Sequence, residues 1–285
     1  MNSQAYLWKL TKKDNQAGLE VLNNVTPWMS LDEITKTLPN GAYTTFRTYQ
    51  HGSTIHFNDH IERLKETCKL SGFSFEIDGN LIRLGLKQIL NILSDIPDLR
   101  VRINIDFEHH KGDVFLAAEP LVTPTGMDYQ CGVRVATCSM KRTNPKAKLS
   151  RFLNSTDQVR SEFSKDFNEI IMIGNDGQML EGLSSNFFAI KDGKIWTEDK
   201  DVLSGITRSI IFEVAIDLGI PVIKRGILLE ELRYVKEVFI TSASRSVLPV
   251  KQIDQYWSSS KVPGLVTLKI MRAFDENISK CLELI

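Results

Sequence analysis

Two periods of apolar and polar positions run through this chain, and the switches between them mark its elements. Ala5–Leu10 fits a strand, and Thr26–Asn40 is turn-rich, ending in Leu-Pro-Asn-Gly. Ala42–Tyr49 is dense in β-branched and aromatic residues. A Gln50-His51-Gly52 turn then returns the chain through a second strand at Thr54–Phe57. From there the period lengthens. Ile61, Leu64, Cys68 and Leu70 form the apolar stripe of a helix that Asn58 is placed to cap and Gly72 to stop. Asp78 is placed to cap a second helix, periodic in Leu81, Ile82, Leu84, Ile89, Ile92 and Leu93. Strands follow at Leu99–Phe107 and Asp113–Glu119.

Pro120–Gly126 holds two prolines and a glycine in seven residues, the most linker-like stretch of the chain. It predicts an N-terminal α/β domain over residues 1–119, a linker over 120–126 and a second domain over 127–285. That second half opens with a strand at Cys131–Ser139. Leu149, Phe152, Leu153, Thr156, Val159 and Phe163 then recur at helical spacing. Strands at Glu169–Ile173 and Gln178–Leu180 flank Gly-Asn-Asp-Gly, a tight-turn signal. A hairpin (Asn186–Ile190, Lys194–Thr197), a helix (Thr207–Leu218), a strand (Ile220–Arg225), a helix (Leu228–Val235) and strands at Glu237–Thr241 and Ser246–Val250 complete the pattern. Val266, Ile270, Phe274 and Ile278 make the last helix amphipathic.

Composition adds exclusions. The 285 residues are 42% hydrophobic and 25% charged, an ordinary globular balance. Lys+Arg and Asp+Glu are both 35, so nothing argues for a nucleic-acid stripe or an anionic membrane surface. No apolar run approaches bilayer length, and the N-terminus lacks the pattern of a secretory leader. Cys68, Cys131, Cys138 and Cys281 stand far apart and form no CxxC, which predicts reduced thiols in a cytoplasmic protein. His56 and His60 are four apart, but a strand-to-helix junction lies between them, and no metal is expected.

The candidate chemistry lies between Pro145 and Phe188. Lys148 opens an amphipathic segment, and Glu181 sits in the small-residue turn Glu-Gly-Leu-Ser-Ser-Asn. Taken singly, a lysine is usually a solvated surface charge and a turn glutamate is ordinary. Gly205-Ile206-Thr207 falls at a helix start, where free N–H groups favour an anion and where Thr207 also reads as a plain cap. Tyr43 and Arg47, four apart on one strand, point to the same face.

Six blocks stand in order over residues 41–250: GAYTTFRTY, HIERL, a lysine opening a helix, EGLSSNFFAIKDG, LSGITR and FITSASRSVLPV. In this order the chain resembles the fold-type IV pyridoxal-phosphate enzymes. That class IV aminotransferase family includes branched-chain and D-amino acid aminotransferases and aminodeoxychorismate lyase. The resemblance implies an α/β (α+β) fold of two domains, the smaller N-terminal and the larger a C-terminal pseudo-barrel. It makes Lys148 the Schiff-base lysine that also moves the substrate Cα proton, with Lys146 as the competitor. Glu181 would face the protonated pyridine nitrogen, an attraction of about 4 kcal/mol at about 4 Å and an effective dielectric of about 20. Arg63, Ile206, Thr207, Thr241, Ser242 and Ala243 would hold the phosphate, Ala243 through its backbone alone. Tyr43 and Arg47 would line the substrate pocket.

The implied reaction is transamination between an amino acid, branched-chain ones included, and a 2-oxo acid, in a homodimer. The alternative on the same scaffold is a 4-amino-4-deoxychorismate lyase releasing pyruvate and 4-aminobenzoate. A third reading, a non-catalytic homologue, is opposed by the presence of Lys148, Glu181 and Arg63. The chain also departs from its relatives. The stretch after Leu99–Phe107 has no Arg-Gly pair, only His109 and His110 as substitutes, and Arg151 and Phe152 follow the lysine. These departures bear on the substrate rather than on the cofactor.

Overall fold

The backbone of the computed structural model divides into two units. One comprises Met1–Val122, Ala147–Ser155 and Cys281–Ile285; the other comprises Thr123–Lys146 and Thr156–Lys280. The structure describes residues 4–13, 16–22, 30–164 and 166–285, so the turn-rich reading of residues 26–29 lies outside it. The first crossing falls within Pro120–Gly126. The two later returns are short and carry no linker composition, so a single cut in the sequence has no means of registering them.

In chain order the first unit holds β1 (Tyr6–Lys13), β2 (Gln16–Val21), α1 (Leu31–Thr37), β3 (Gly41–Arg47), β4 (Ser53–Ile55), α2 (Phe57–Leu70), α3 (Gly79–Ile92), β5 (Leu99–Asp106) and β6 (Val114–Pro120). Five of these strands make an antiparallel sheet in the order β2-β1-β6-β5-β3. Alternation sorts the two faces of β5. Val101, Ile103 and Ile105 join Leu64 of α2 and Leu86 and Ile89 of α3 in the main core. Arg102, Asn104 and Asp106 are buried on the opposite face. There Leu31 and Ile34 of α1 pack with Phe115 and Ala117 of β6.

Several elements differ from the sequence reading. Leu31–Thr37 is a helix, held by a capping box in which Ser30 Oγ accepts from Glu33 N–H and Glu33 Oε2 accepts from Ser30 N–H. That Ser-x-x-Glu signal is present in the sequence. Asn58 does not cap α2. The N-cap is His56, in the left-handed region at φ 51°, and Phe57 N–H donates to Glu283 Oε1 at 2.8 Å. A cap supplied from the far end of the chain leaves no local trace. Leu70, Leu84 and Ile92 are exposed.

The second unit follows with α4 (Gly126–Cys131), β7 (Val133–Ser139), α5 (Arg151–Glu162), β8 (Glu169–Ile173), β9 (Met179–Gly182), β10 (Asn186–Lys191), β11 (Lys194–Trp196), α6 (Ile206–Asp217), β12 (Val222–Ile223), β13 (Glu237–Ser242), β14 (Ser246–Ile253), β15 (Trp257–Ser258) and α7 (Leu265–Cys281). The first residues of α5 belong to the first unit, as does a last strand, β16 (Leu282–Leu284), which pairs antiparallel with β4. Residues Leu229–Tyr234 form a 3₁₀ turn rather than an α-helix. On α7 the buried positions are Thr267, Ile270, Phe274 and Ile278, with Thr267 in place of Val266.

Six strands of this unit close on themselves in the order β10-β13-β14-β7-β8-β9, and a single pairing, Asn186 with Glu181, returns β9 to β10. The result is a closed, barrel-like sheet. Val133, Val135, Ile171, Phe187, Ile240 and Leu248 are among its packed apolar residues. Glu-Gly-Leu-Ser-Ser-Asn is the tight connection that seals it, with Gly182 N–H donating to Ser185 O at 2.8 Å.

Candidate active site

Lys148 is fixed by its backbone. Residues 147–150 run along the free edge of β3: Leu149 bridges Ala42, Tyr43 N–H donates to Lys148 O at 3.0 Å, and Ser150 N–H donates to Gly41 O at 2.9 Å. Lys148 N–H donates to Thr67 Oγ1 of α2 at 3.2 Å, and Gly41 N–H to Ser150 Oγ at 2.9 Å. Ala147 and Leu149 are buried on either side of the half-buried lysine. The helix begins only at Arg151, so Lys148 precedes it in an extended segment instead of opening it. Gly41 is obligatory, since a Cβ there would meet Ile105 O at 1.7 Å.

The lysine's Nζ stands 4.6 Å from the centroid of the Tyr43 ring, and Arg102 Cζ lies 4.9 Å from the same centroid. His60, buried beneath, shares a 2.7 Å hydrogen bond between Nδ1 and Thr44 Oγ1. Burial, followed by the nearby charges of Arg63 and Lys148, holds the His60 imidazole well below its usual pKa, so this histidine is neutral. Arg63 lies half-buried on α2, one turn before Thr67. Arg47 is elsewhere. Its guanidinium lies over the Tyr49 ring, donates to Thr48 O and stands 3.6 Å from Asp98, so the structure separates the side-chain contacts of Tyr43 and Arg47 despite their common face.

In the second unit Glu181 is 2% exposed. Its Oε1 accepts from Arg142 Nε at 2.7 Å and from Leu203 N–H at 3.2 Å; its Oε2 accepts from Asn186 Nδ2 at 3.2 Å. Asn186 also donates to Leu203 O at 3.0 Å. Gly205 abuts Asn186: a Cβ at Gly205 would meet Asn186 Oδ1 at 2.1 Å. Gly205 is the N-cap of α6 and supplies no side-chain acceptor, which leaves Ile206 and Thr207 in an uncapped first turn. Thr241 pairs with Asn186 across β13 and β10. Its Oγ1 is buried and has no hydrogen-bond partner among the described residues. Ser242 and Ala243 follow at the end of β13, where Arg245 N–H donates to Ser242 O.

Beneath this turn lies a second buried carboxylate, Glu169. Its Oε2 accepts from Ser184 Oγ (2.7 Å), Ser185 Oγ (2.9 Å) and Arg245 Nη1 (2.8 Å). Burial pushes the Glu169 pKa up, but Arg245, Arg160 and the Ser184 hydroxyl outweigh it and hold the carboxyl below its usual range. Lys146, the competitor of Lys148, donates to Asp199 O. His109 and His110 are engaged through their backbone N–H groups, which donate to the Asp106 carboxylate.

Comparison with known proteins is consistent across the chain. The family model for Amino-transferase class IV matches residues 41–253. The chain belongs to the class IV aminotransferases. A D-alanine aminotransferase of Listeria monocytogenes is 39% identical over 260 residues, 84% of this chain and 87% of the relative. A protein of Thermotoga maritima named "Probable branched-chain-amino-acid aminotransferase" is 31% identical over 249 residues, again 84% and 87%. A T.th. branched-chain amino acid aminotransferase, solved with pyridoxamine 5′-phosphate, shares the fold with a TM-score of 0.79 at 19% identity, covering 100% of this chain and 99% of that one.

Each unit of the aminotransferase, taken by itself, carries groups suited to part of a phosphorylated pyridine aldehyde. A primary amine lies against an aromatic ring in the first unit. In the second, a buried carboxylate, an orphaned hydroxyl and an uncapped helix start stand together around Asn186. Sequence reasoning missed Arg142, Asn186 and Thr67. Arg142 stands among Lys141, Thr143 and Asn144 in a loop with no periodicity, and only the fold points it at Glu181.

Proposed function

We propose that Lys148 and Glu181 carry the reaction of this aminotransferase, with pyridoxal phosphate as its cofactor. When bound, the cofactor supplies an aldehyde that takes an amine and a ring that accepts electrons. Lys148 Nζ would be the amine that holds the aldehyde, and the same nitrogen would carry the proton of the substrate Cα. Glu181, charge-balanced by Arg142, holds the proton on the ring nitrogen. The first turn of α6 at Ile206 and Thr207, the Thr241 hydroxyl, the Ser242 and Ala243 backbone and the Arg63 guanidinium bind the phosphate oxygens. Tyr43 floors the lysine and positions its amine.

The observation that supports this reading best is the pinned Lys148 segment. Three backbone hydrogen bonds and two buried neighbours aim one amine at one aromatic ring. The relatives' names cover branched-chain amino acids and D-alanine, which are the first substrates to assay. We also infer a homodimer, as the resemblance implies, and a cytoplasmic protein, in keeping with four scattered cysteines that form no CxxC.

The test is substitution of the two lysines. Lys148→Ala should lose the visible absorbance that pyridoxal phosphate gives the wild type, and kcat should drop by at least about 10²–10⁴-fold. Lys146→Ala should keep both. The reverse pattern would transfer the role to Lys146. Release of 4-aminobenzoate without formation of a 2-oxo acid from an amino acid would instead support the lyase.

A further inference from the structure

On β3 and β5, the sheet face that carries Tyr43 is largely polar and buried. Across β3 and β5, Tyr43 is paired with Asn104, and Thr45 with Arg102; Asp106 follows two residues on. Arg102 spends its guanidinium on Thr45 Oγ1, Leu31 O, Thr35 Oγ1 and Asp32 Oδ1. Asp106 spends its carboxylate on the N–H groups of Glu108, His109 and His110. Asn104, between them, is different. Its side-chain Nδ2 and Oδ1 are both buried, and neither has a hydrogen-bond partner among the described residues; the residue is 4% exposed. Buried amides are nearly always paired, because an unpaired one is destabilising. Directly opposed side chains on neighbouring strands lie about 5 Å apart. The orphaned carboxamide therefore adjoins the ring on which the Lys148 amine rests.

We propose that Asn104 is a specificity determinant, pairing with a side chain of the amino or oxo acid that offers both a donor and an acceptor. A carboxamide is the best fit, in preference to a branched aliphatic group. This rests on Lys148 being the reacting amine. The chemistry of Asn104 selects the class: an aliphatic group leaves both of its polar atoms unpaired, and a carboxylate satisfies only Nδ2. A carboxamide satisfies both at once. Discrimination of this kind is steep, because the wrong substrate strands a buried polar group.

The experiment compares wild type with Asn104→Leu, a change that removes the unpaired amide at similar volume. kcat/KM is measured for glutamine and asparagine against leucine and isoleucine, in both configurations, along with the unfolding temperature and the cofactor's visible absorbance. We expect wild type to prefer one of the amides and Asn104→Leu to lose about 10- to 100-fold on it. Turnover of leucine should be unchanged or faster, the Lys148-dependent absorbance retained and the unfolding temperature raised. The proposal is overturned if wild type uses leucine as well as either amide. It is equally overturned if Asn104→Leu lowers the unfolding temperature and leaves the substrate ratio unchanged, the signature of a structural amide completed by buried water. Should Asn104→Leu fail to fold, Asn104→Ala reports the same ratio. Absence of Lys148-dependent absorbance in wild type is a separate outcome, which sinks the functional reading itself.

Discussion

Arg142 Nε donates to Glu181 Oε1 across 2.7 Å, and the two side chains are 5% and 3% exposed. A pair this dry is sensitive to the loss of one member, because the remaining charge stays buried without its counter-charge. Arg142→Met should therefore destabilise the fold by about 3–5 kcal/mol. Arg142→Met combined with Glu181→Gln should recover a large part of that loss. Urea unfolding of the two single variants and the double variant measures the coupling. Additive losses would show that the pair is held by its surroundings.

The orphaned Thr241 hydroxyl makes the opposite kind of prediction. Thr241→Val removes a buried polar group that has no partner among the described residues, so the cofactor-free protein should be more stable by about 1 kcal/mol. The same change should weaken retention of pyridoxal phosphate by about 10-fold. Thermal unfolding with and without added cofactor reads both effects, which must carry opposite signs.

Gly205, the residue before Ile206, makes its closest approach to Asn186. An added Cβ at 2.1 Å from Asn186 Oδ1 must displace the amide that donates to Glu181. Gly205→Ala should leave the fold intact and lower cofactor affinity by about 2- to 10-fold, the worth of one hydrogen bond. Titration of the cofactor by absorbance would detect it. Unchanged affinity would mean that Asn186 can yield without releasing Glu181.

His60 sets a pH dependence. Its pKa is depressed in the folded state, so below the unfolded value, about 6.5, the unfolded chain takes up a proton that the folded chain refuses. Stability present above about pH 6.5 is thus lost as pH falls, by up to about 1.4 kcal/mol per pH unit from this group. Urea midpoints between pH 8 and pH 5 should show the decline, and His60→Asn should flatten it.

How much of this was legible in the sequence depends on the range of the interactions. The order of blocks along the chain carried the family, and the β-rich and helical periods placed most strands and helices of both units. Glu181, Thr241 and Lys148 could be singled out because they sit in, or at a fixed spacing from, recognisable blocks. Arg142 could not, because its position depends on where a non-periodic loop returns against the barrel. The cap of α2 comes from Glu283, more than two hundred residues away. Asn104 reads as one more polar residue in an alternating strand, and only the burial of its face makes its unpaired amide visible. Arg47 shows the converse. Alternation placed it on the face of Tyr43, but the pull of Asp98 and Tyr49 decided where its side chain went.

The barrel of the second unit is sealed by one cross-strand pair, and that pair is Glu181 with Asn186. Strand register has a period of two, so slipping β9 by one residue would turn Glu181 to the other side of the sheet. The register of β9 against β10 is thereby reported by the position of a single carboxylate. On the role proposed for Glu181, a chain folded in the wrong register would hold the cofactor poorly however well it packed, and bound cofactor would gauge which molecules have closed their barrel correctly.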